Sequence, residues 1–445
     1  MAKITFLGAG STIFAKSILG DSMLTPVLSD AHIALYDIDP KRLKESRMML
    51  DNLNANINAG RAKITSHCGL ARRRAALKNA DFVVNAVQIG GYEPSTVIDF
   101  EVPKTYGLRQ TIADTLGIGG LFRSLRTIPF MLDVAREMED VCPEAWLLNY
   151  SNPQATLVGA VLQATGIRAV GLCHSVQGCA TWLLKRLGML EGVTDLRWEI
   201  AGINHMAWLL SIRDGTKDLY PEIKRRAAKK VRAARKKGAE KFGDMVRLEI
   251  MRHFGHYVTE SSEHNAEYMP YWIKSQYPEL IEEFNIPLDE YPRRCISQIE
   301  HWKARSAELV NNAALDHRRT AEYGSWIMEA IVTDRPCRVH GNVLNTGLIT
   351  NLPGKAVVEV ACLVDKNGVQ GTVVGDLPEQ LAALNRTNIN TQLLTIEAAL
   401  TRRKDTIYQA AMLDPHTAAE LPLDRIRALC DDLIAAHGDY LPRYT

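Results

Sequence analysis

Several features are scarce or missing in this sequence, and each absence excludes a class of protein. Eight cysteines are spread over 445 residues with no CxxC pair, so neither a disulfide framework nor a zinc finger is indicated. No apolar run reaches the roughly 20 residues that a membrane-spanning helix needs. The N-terminus shows no signal-peptide pattern, because Met1-Ala2-Lys3 passes directly into Ile4–Leu7 and then a glycine. Free thiols in a reducing cytoplasm are therefore the expectation. A net charge of only +2 gives no field to attract polyanions, and neither nucleic acid nor a membrane is expected as a partner. Internal repeats, low-complexity tracts and flexible linkers are absent. The one strongly basic stretch, Lys224 to Lys237 (KRRAAKKVRAARKK), has no interleaved aromatic residue. It reads as a solvated helix with its alanines turned inward rather than as an anion-binding patch.

What is present suits a large α/β enzyme. With 46% hydrophobic residues the chain can bury an extensive core, and by its length an interwoven pair of lobes is the expectation. Short β-branched runs alternate with amphipathic stretches in the first half, the βαβ pattern of a parallel sheet. Strands are predicted at Lys3–Leu7, His32–Tyr36, Asp81–Val87, Trp146–Leu148 and Ala169–Leu172, with the chemistry collected just beyond their carboxyl ends. Further strands are predicted at Val357–Val364 and Gly371–Val374, and helices at Leu377–Asn385, Thr391–Ala411 and Leu423–Ala436.

Gly8-Ala9-Gly10-Ser11 follows the first strand and precedes a helical pattern. Glycines there permit a tight turn and the close approach of a pyrophosphate to a helix N-terminus. The third glycine of the dinucleotide fingerprint is missing, since Ile13 stands in its place. Asp37 closes the second strand, where a carboxylate accepts bonds from a ribose 2′-hydroxyl and repels a 2′-phosphate, so NAD is favoured over NADP. A turn or N-cap role ahead of Pro40 is the plainer alternative for Asp37.

Three further segments are polar and glycine-rich. In Ala113–Arg123 (ADTLGIGGLFR), Asp114 and Arg123 could orient a ligand, or the segment could be a compact loop with a helix cap. Leu147–Pro153 (LLNYSNP) ends a strand in Asn149 and Asn152, which can bind ribose or sugar hydroxyls or form an Asx-turn. Gly171–Val176 (GLCHSV) and Gly202–His205 (GINH) offer Cys173 and His205 as ligands to one divalent ion, although buried cysteines usually only pack.

Taken together these segments resemble the NAD- and manganese-dependent glycosidases of glycoside hydrolase family 4, nearest its melibiase-type α-galactosidase branch. The likeness spans nearly the whole chain: Gly8–Ser11, Asp114–Pro129, Asn149–Pro153, Cys173–Val176, Gly202–His205, Thr259–His264, Asn351–Pro353, Val357–Asn367 and Leu377–Asn390. Cys-His-Ser-Val at 173–176 resembles the form in members acting on unphosphorylated α-galactosides and α-glucosides, not on 6-phosphoglycosides. The resemblance implies a Rossmann-like doubly wound sheet in an NAD-binding domain, 1–195. It also implies an interwoven α+β domain, 196–445, for catalysis and oligomerisation, as in lactate and malate dehydrogenases.

The implied chemistry is oxidation at C3 of the sugar by NAD, deprotonation at C2, elimination of the aglycone, addition of water and re-reduction, an exception to the two-carboxylate scheme. The resemblance puts Mn²⁺ on Cys173 and His205. It makes His174 the proton donor to the leaving oxygen and places Asn152 at the sugar, with Asn149 close by. The C2 base is expected at Tyr257, with Glu260, Glu263 and His264 as neighbours able to replace it. Arg293 or Arg294 would meet the carboxylate of a galacturonate. Homodimers or homotetramers are implied. An α-glucosidase or α-galacturonidase is the alternative within the family; a 2-hydroxy-acid dehydrogenase or an inactive NAD-binding sensor lies further off.

Overall fold

The computed structural model describes residues 1–236 and 238–445; Lys237, at the end of the basic stretch, lies outside the described residues. Thirteen strands form one sheet among the described residues. In chain order they are β1 (Lys3–Leu7), β2 (His32–Asp37), β3 (Lys63–Cys68), β4 (Phe82–Asn85), β5 (Trp146–Asn149), β6 (Arg168–Gly171), β7 (Leu196–Ile203), β8 (Met206–Asp214), β9 (Lys217–Asp218), β10 (Tyr257–Val258), β11 (Cys337–Leu344), β12 (Val357–Asp365) and β13 (Gly368–Gly371). The first six pair in parallel in the order β3-β2-β1-β4-β5-β6, the strand order of a dinucleotide-binding sheet. The sheet then continues antiparallel through β11, β12, β7, β8 and β10.

The parallel strands are apolar on both faces, as a sheet covered by helices on each side requires. Ile4, Phe6, Phe82, Val84 and Leu148 pack into one core, while Leu7, Val83, Leu147 and Ala169 pack into the other. The basic helix, Tyr220–Ala234, buries Ala227, Val231 and Ala234 at helical spacing and leaves most of its Lys and Arg side chains exposed. This is the solvated helix expected of it.

Two local expectations need correction. The predicted break between helices near residues 386–390 does not occur: one helix runs Glu379–Thr401, and the chain turns instead at Arg402 (φ +63°) before Lys404–Met412. The last strand lies at Gly368–Gly371 rather than Gly371–Val374, because Val364 and Asp365 pair across a tight turn with Val369 and Gly368. Strand β3 and strands β7 to β11 lie where the sequence reading predicts none.

One row of residues crosses the centre of the sheet. Leu7 pairs with Asn85, Asn85 with Asn149, Asn149 with Gly171, Gly171 with Asn342, Asn342 with Glu359, and Glu359 with Gly202. Asn85, Asn149, Asn342 and Glu359 are fully buried. Asn85 Nδ2 donates to Asn149 Oδ1 at 2.8 Å, and Asn342 Nδ2 lies 3.3 Å from both the Gly171 carbonyl and Glu359 Oε1. Gly171 has no room for a side chain here, since a Cβ would meet Gln154 Oε1 at 2.5 Å and Asn342 Cβ at 2.9 Å. Burial pushes the Glu359 carboxyl up to about 7.

On β11, His340 is 3% exposed and stacks on Trp198 at 5.0 Å between centroids. Burial, assisted by Arg338, lowers its pKa to about 4. The unfolded chain therefore takes up a proton near pH 6.5 that the folded chain refuses until about pH 4. Stability should fall as pH drops through that window, by about 3 kcal/mol from this group. Denaturant midpoints measured from pH 7 to pH 4 should show a shallower acid limb in His340→Phe; an unchanged slope would remove His340 as its source.

Candidate active site

A cleft of about 260 Å³ opens at the carboxyl ends of the parallel strands, where ligands of open α/β sheets bind. Ser11 and Phe14 follow β1, Ala86–Gln88 follow β4, Tyr150–Asn152 follow β5, and Leu172–His174 follow β6; Asp114, Arg123, Gln154 and Tyr291 complete the lining. At the first wall, Gly8 (φ +85°) has no space for a Cβ, which would meet the Ala86 backbone at 2.9 Å. Asp37 Oδ2 accepts the Gly10 N–H at 2.6 Å, and Oδ1 accepts the Asp39 N–H. The acid thus braces the glycine turn. Both features fit a dinucleotide cradle, with a turn that lets another group's backbone lie close and a carboxylate at the end of β2.

Beside the cleft, Cys173 Sγ lies 3.2 Å from His205 Nε2, and Glu260 Oε2 lies 3.5 Å from the same nitrogen. A thiol, an imidazole and a carboxylate oxygen within 4.8 Å of one another form a donor set suited to a divalent transition metal. The positions are imposed by strained backbone. Asn204 and His205 form the loop between Ile203 and Met206, which pair across the β7–β8 hairpin. His205 sits at φ +143° and Glu260 at φ +65°, conformations that side-chain-bearing residues rarely adopt and that cluster at functional sites.

Burial, with Glu359 and Glu260 nearby, drives the Cys173 thiol far above its ordinary pKa, so a metal would have to displace its proton on binding. Burial also pushes the Glu260 and Asp114 carboxyls up. The effect is outweighed by His205 and His264 at Glu260, and by His264 and Arg123 at Asp114, and both end below the usual carboxylate range. His264 stands between them, 3.6 Å from Glu260 Oε1 and 3.8 Å from Asp114 Oδ1.

The loop bearing Asp114 is fixed from below. Glu267 accepts the backbone N–H groups of Thr111, Ile112 and Ala113, and Ala113 takes φ +51°. The Asn152 amide then reaches Asp114 at 3.4 Å, while Arg123 contacts the Asn152 carbonyl and the Tyr291 hydroxyl, each at 3.3 Å.

The model of the family 4 glycosyl hydrolases matches residues 3–189, and that of their C-terminal domain matches residues 200–417. The chain belongs to glycosyl hydrolase family 4. A relative described as an alpha-galactosidase, from Bacillus subtilis (strain 168), is 62% identical over the full length of both chains. A second alpha-galactosidase, from Rhizobium meliloti (strain 1021), is 31% identical over 99% of this chain and 89% of its own. Among solved structures, a 6-phospho-alpha-glucosidase from gut microorganisms, in complex with NAD and Mn²⁺, shares the fold with a TM-score of 0.81 at 21% identity, covering all of both chains.

In this family 4 hydrolase the structure brings Ser11, Asp114, Asn152, Cys173 and His174 together at the cleft, with His205 beside Cys173 and the Gly8–Gly10 turn and Asp37 behind Ser11. Three expectations are corrected. Tyr257 lies in the hydrophobic core, fully buried, with its ring 4.6 Å from the Arg247 guanidinium and its hydroxyl donating to Asp244 Oδ2 at 2.6 Å. Burial raises its pKa well above 10, and it is not among the residues that line the cleft. Asn149 uses its side chain within the fold, donating to the Ser151 carbonyl and Gln154 Oε1 and accepting from Asn85; it does not line the cleft. Arg293 points outward, paired with Glu290 and the Leu288 carbonyl. The cation at the cleft is Arg123, and Arg294 pairs with Glu263 and Glu290.

Glu322, which contacts His174 Nε2, was missed because no motif surrounds it. Glu260 was legible only as a neighbour of Tyr257, not as a partner of Cys173 and His205. Single substitutions Cys173→Ser and His205→Ala should each weaken Mn²⁺ binding at least about tenfold, read by electron paramagnetic resonance titration of free Mn²⁺. Unchanged affinity in both would place the ion elsewhere.

Proposed function

We propose that this chain is an NAD- and Mn²⁺-dependent α-galactosidase acting on unphosphorylated α-galactosides. The observation that carries the reading is the Cys173–His205–Glu260 cluster beside a dinucleotide-type cleft, in a chain 62% identical from end to end to a protein described as an alpha-galactosidase. Gly8, Gly10, Ser11 and Asp37 would hold the dinucleotide, and Cys173 and His205 the metal. When bound, these groups supply a hydride acceptor for C3 of the sugar and a Lewis acid that makes the C2 hydrogen acidic.

The remaining steps belong to side chains. Asn152 donates to and accepts from the sugar hydroxyls, the Asp114 carboxylate accepts from them, and Arg123 holds Asn152 by its carbonyl. Glu260, rather than Tyr257, takes the C2 proton: it is the carboxylate of the cluster, and His264 fixes its second oxygen. His174, at the cleft wall, gives a proton to the leaving oxygen. A galacturonate would place a carboxylate near Arg123, but Asp114 already faces that cation, which favours an uncharged sugar. The reading includes a reducing cytoplasm and a homodimer or homotetramer, the latter supported by the family resemblance. No described helix is long and apolar enough to cross a membrane.

The test is release of nitrophenol from p-nitrophenyl α-galactoside, α-glucoside and α-galacturonide, with NAD⁺ or Mn²⁺ omitted in turn and thiol present. Release from the galactoside should require both, without net NADH, and should be lost after treatment with chelator and peroxide, since Cys173 would be oxidised. Activity without either cofactor would overturn the reading. Under the complete conditions Glu260→Gln should lose about 10³-fold in kcat, within the range of a general base. Tyr257→Phe should keep most of its turnover and lose about 1–3 kcal/mol of stability instead, because Asp244 loses a buried donor. The reverse ranking of the two variants would restore Tyr257 as the base.

A further inference from the structure

Residues 312–323 run as an extended strap between the helices Glu290–Asn311 and Gly324–Thr333. The strap's second half is tied at one end to the helix Thr12–Leu24 and at the other to the cleft wall. Asp21, on the helix that follows the glycine turn, accepts from His317 Nε2 at 2.7 Å, from the Thr320 N–H at 2.9 Å and from the Thr320 hydroxyl. Gly20 makes this possible, since a Cβ there would meet the His317 ring at 2.7 Å. At the other end, the Tyr323 hydroxyl accepts the Cys173 N–H at 2.7 Å and donates to the Cys173 carbonyl at 3.0 Å. The Gly324 N–H donates to the Tyr150 hydroxyl. Between these ties the Glu322 N–H donates to Thr320 Oγ1. Its side chain, 11% exposed, puts Oε1 on His174 Nε2, whereas the His174 side chain is 53% exposed.

We propose that Glu322 is the positioning residue for His174, holding its Nε2–H so that Nδ1 is the nitrogen presented to the leaving oxygen. The inference rests on the reading of His174 as proton donor. An imidazole has two nitrogens, and the hydrogen bond made by one decides the role of the other. With the Glu322 carboxylate accepting from Nε2, the imidazolium gives up its Nδ1 proton. That proton goes to the glycosidic oxygen as the C1–O bond breaks. The electron pair left at C2 by deprotonation becomes the C1=C2 bond, the C1–O pair goes to the departing oxygen, and the ring remains as the neutral Nε2–H tautomer, still bonded to Glu322. The strap's ties carry the geometry, because the ring itself is open to solvent and would otherwise rotate.

A positioning role predicts a dependence on the leaving group that general loss of structure does not. Nitrophenolate leaves without protonation, whereas an alkyl or sugar alkoxide needs it. Glu322→Ala and the isosteric Glu322→Gln are therefore assayed on p-nitrophenyl and methyl α-galactosides, or on the matching pair for whichever α-glycoside the wild type cleaves. The alanine variant should fall about 100-fold on the methyl glycoside and about tenfold or less on the aryl one, with the glutamine variant smaller in the same direction. In ¹⁵N-histidine spectra recorded at a pH high enough for the ring to be neutral, the wild-type His174 should show the Nε2–H tautomer and Glu322→Ala a mixture. Equal loss on both leaving groups, or an unchanged His174 signal, would overturn the proposal. A wild type that cleaves another α-glycoside but no α-galactoside overturns the galactoside reading alone, and a wild type that cleaves none overturns both.

Discussion

The structure depends on the way two differently built halves of a sheet are joined at one level. β6 and β11 share a single paired position, Gly171 with Asn342, so the backbone ladder alone barely holds them. The Asn342 side chain supplements it by reaching the Gly171 carbonyl and Glu359. Such buried polar groups are costly unless partnered, and here the partners lie across the strands. Gly171 and Gly202 occupy the same row, and Cys173 and His205 lie two and three residues beyond them, with Sγ and Nε2 3.2 Å apart. A one-residue slip of β11 would send every side chain of that strand to the opposite face and would disrupt the row from which Cys173 and His205 extend.

Around that row, rigid anchors hold conformations the backbone would not choose. His205 occupies the hairpin position that glycine usually fills, where a two-residue loop demands an uncommon φ. Such a residue costs about 1–3 kcal/mol, offset by the β7–β8 ladder on either side. Glu267 plays the same part for the Asp114 loop. Its carboxylate gathers three consecutive backbone N–H groups and so fixes Ala113 at positive φ. The strain is local, and the elements that impose it are buried.

How much of this could be read from the chain follows from the distance over which each residue finds its partner. The glycine turn, Asp37 and the strand ends are local patterns, and the parallel sheet and its cleft were legible for that reason. Cys173 and His205 stood out by their type. Tyr257 misled because a strand alternates faces: Val258 packs into one core cluster and Tyr257 into another, and nothing local says which side meets the cleft. Arg293 and Arg294 are neighbours on a helix, where adjacent residues point in different directions. Neither reaches the cleft, while Arg123, some 170 residues earlier in the chain than Tyr291, does meet it there. Asn149 was read as a ligand because its partners, Asn85 and Gln154, belong to other elements. Glu322 is 148 positions from His174, and no periodicity reports a contact of that span.

The parallel half taken alone is a cleft for a dinucleotide, with a cysteine and a histidine at its wall; many chemistries could be run there. What narrows them comes from the antiparallel half. The hairpin loop at Asn204–His205 and the turn after β10 each place one side chain, His205 and Glu260, against Cys173. The strap after the helix Glu290–Asn311 adds Glu322. All three arrive on connections rather than inside strands or helices, where side-chain direction is set by the loop and not by the sheet's alternation. A dehydrogenase needs only to pass hydride across such a cleft. The proposed hydrolysis must also remove a proton from carbon and give one to oxygen, and it is the antiparallel half that brings one carboxylate to Cys173 and His205 and another to His174.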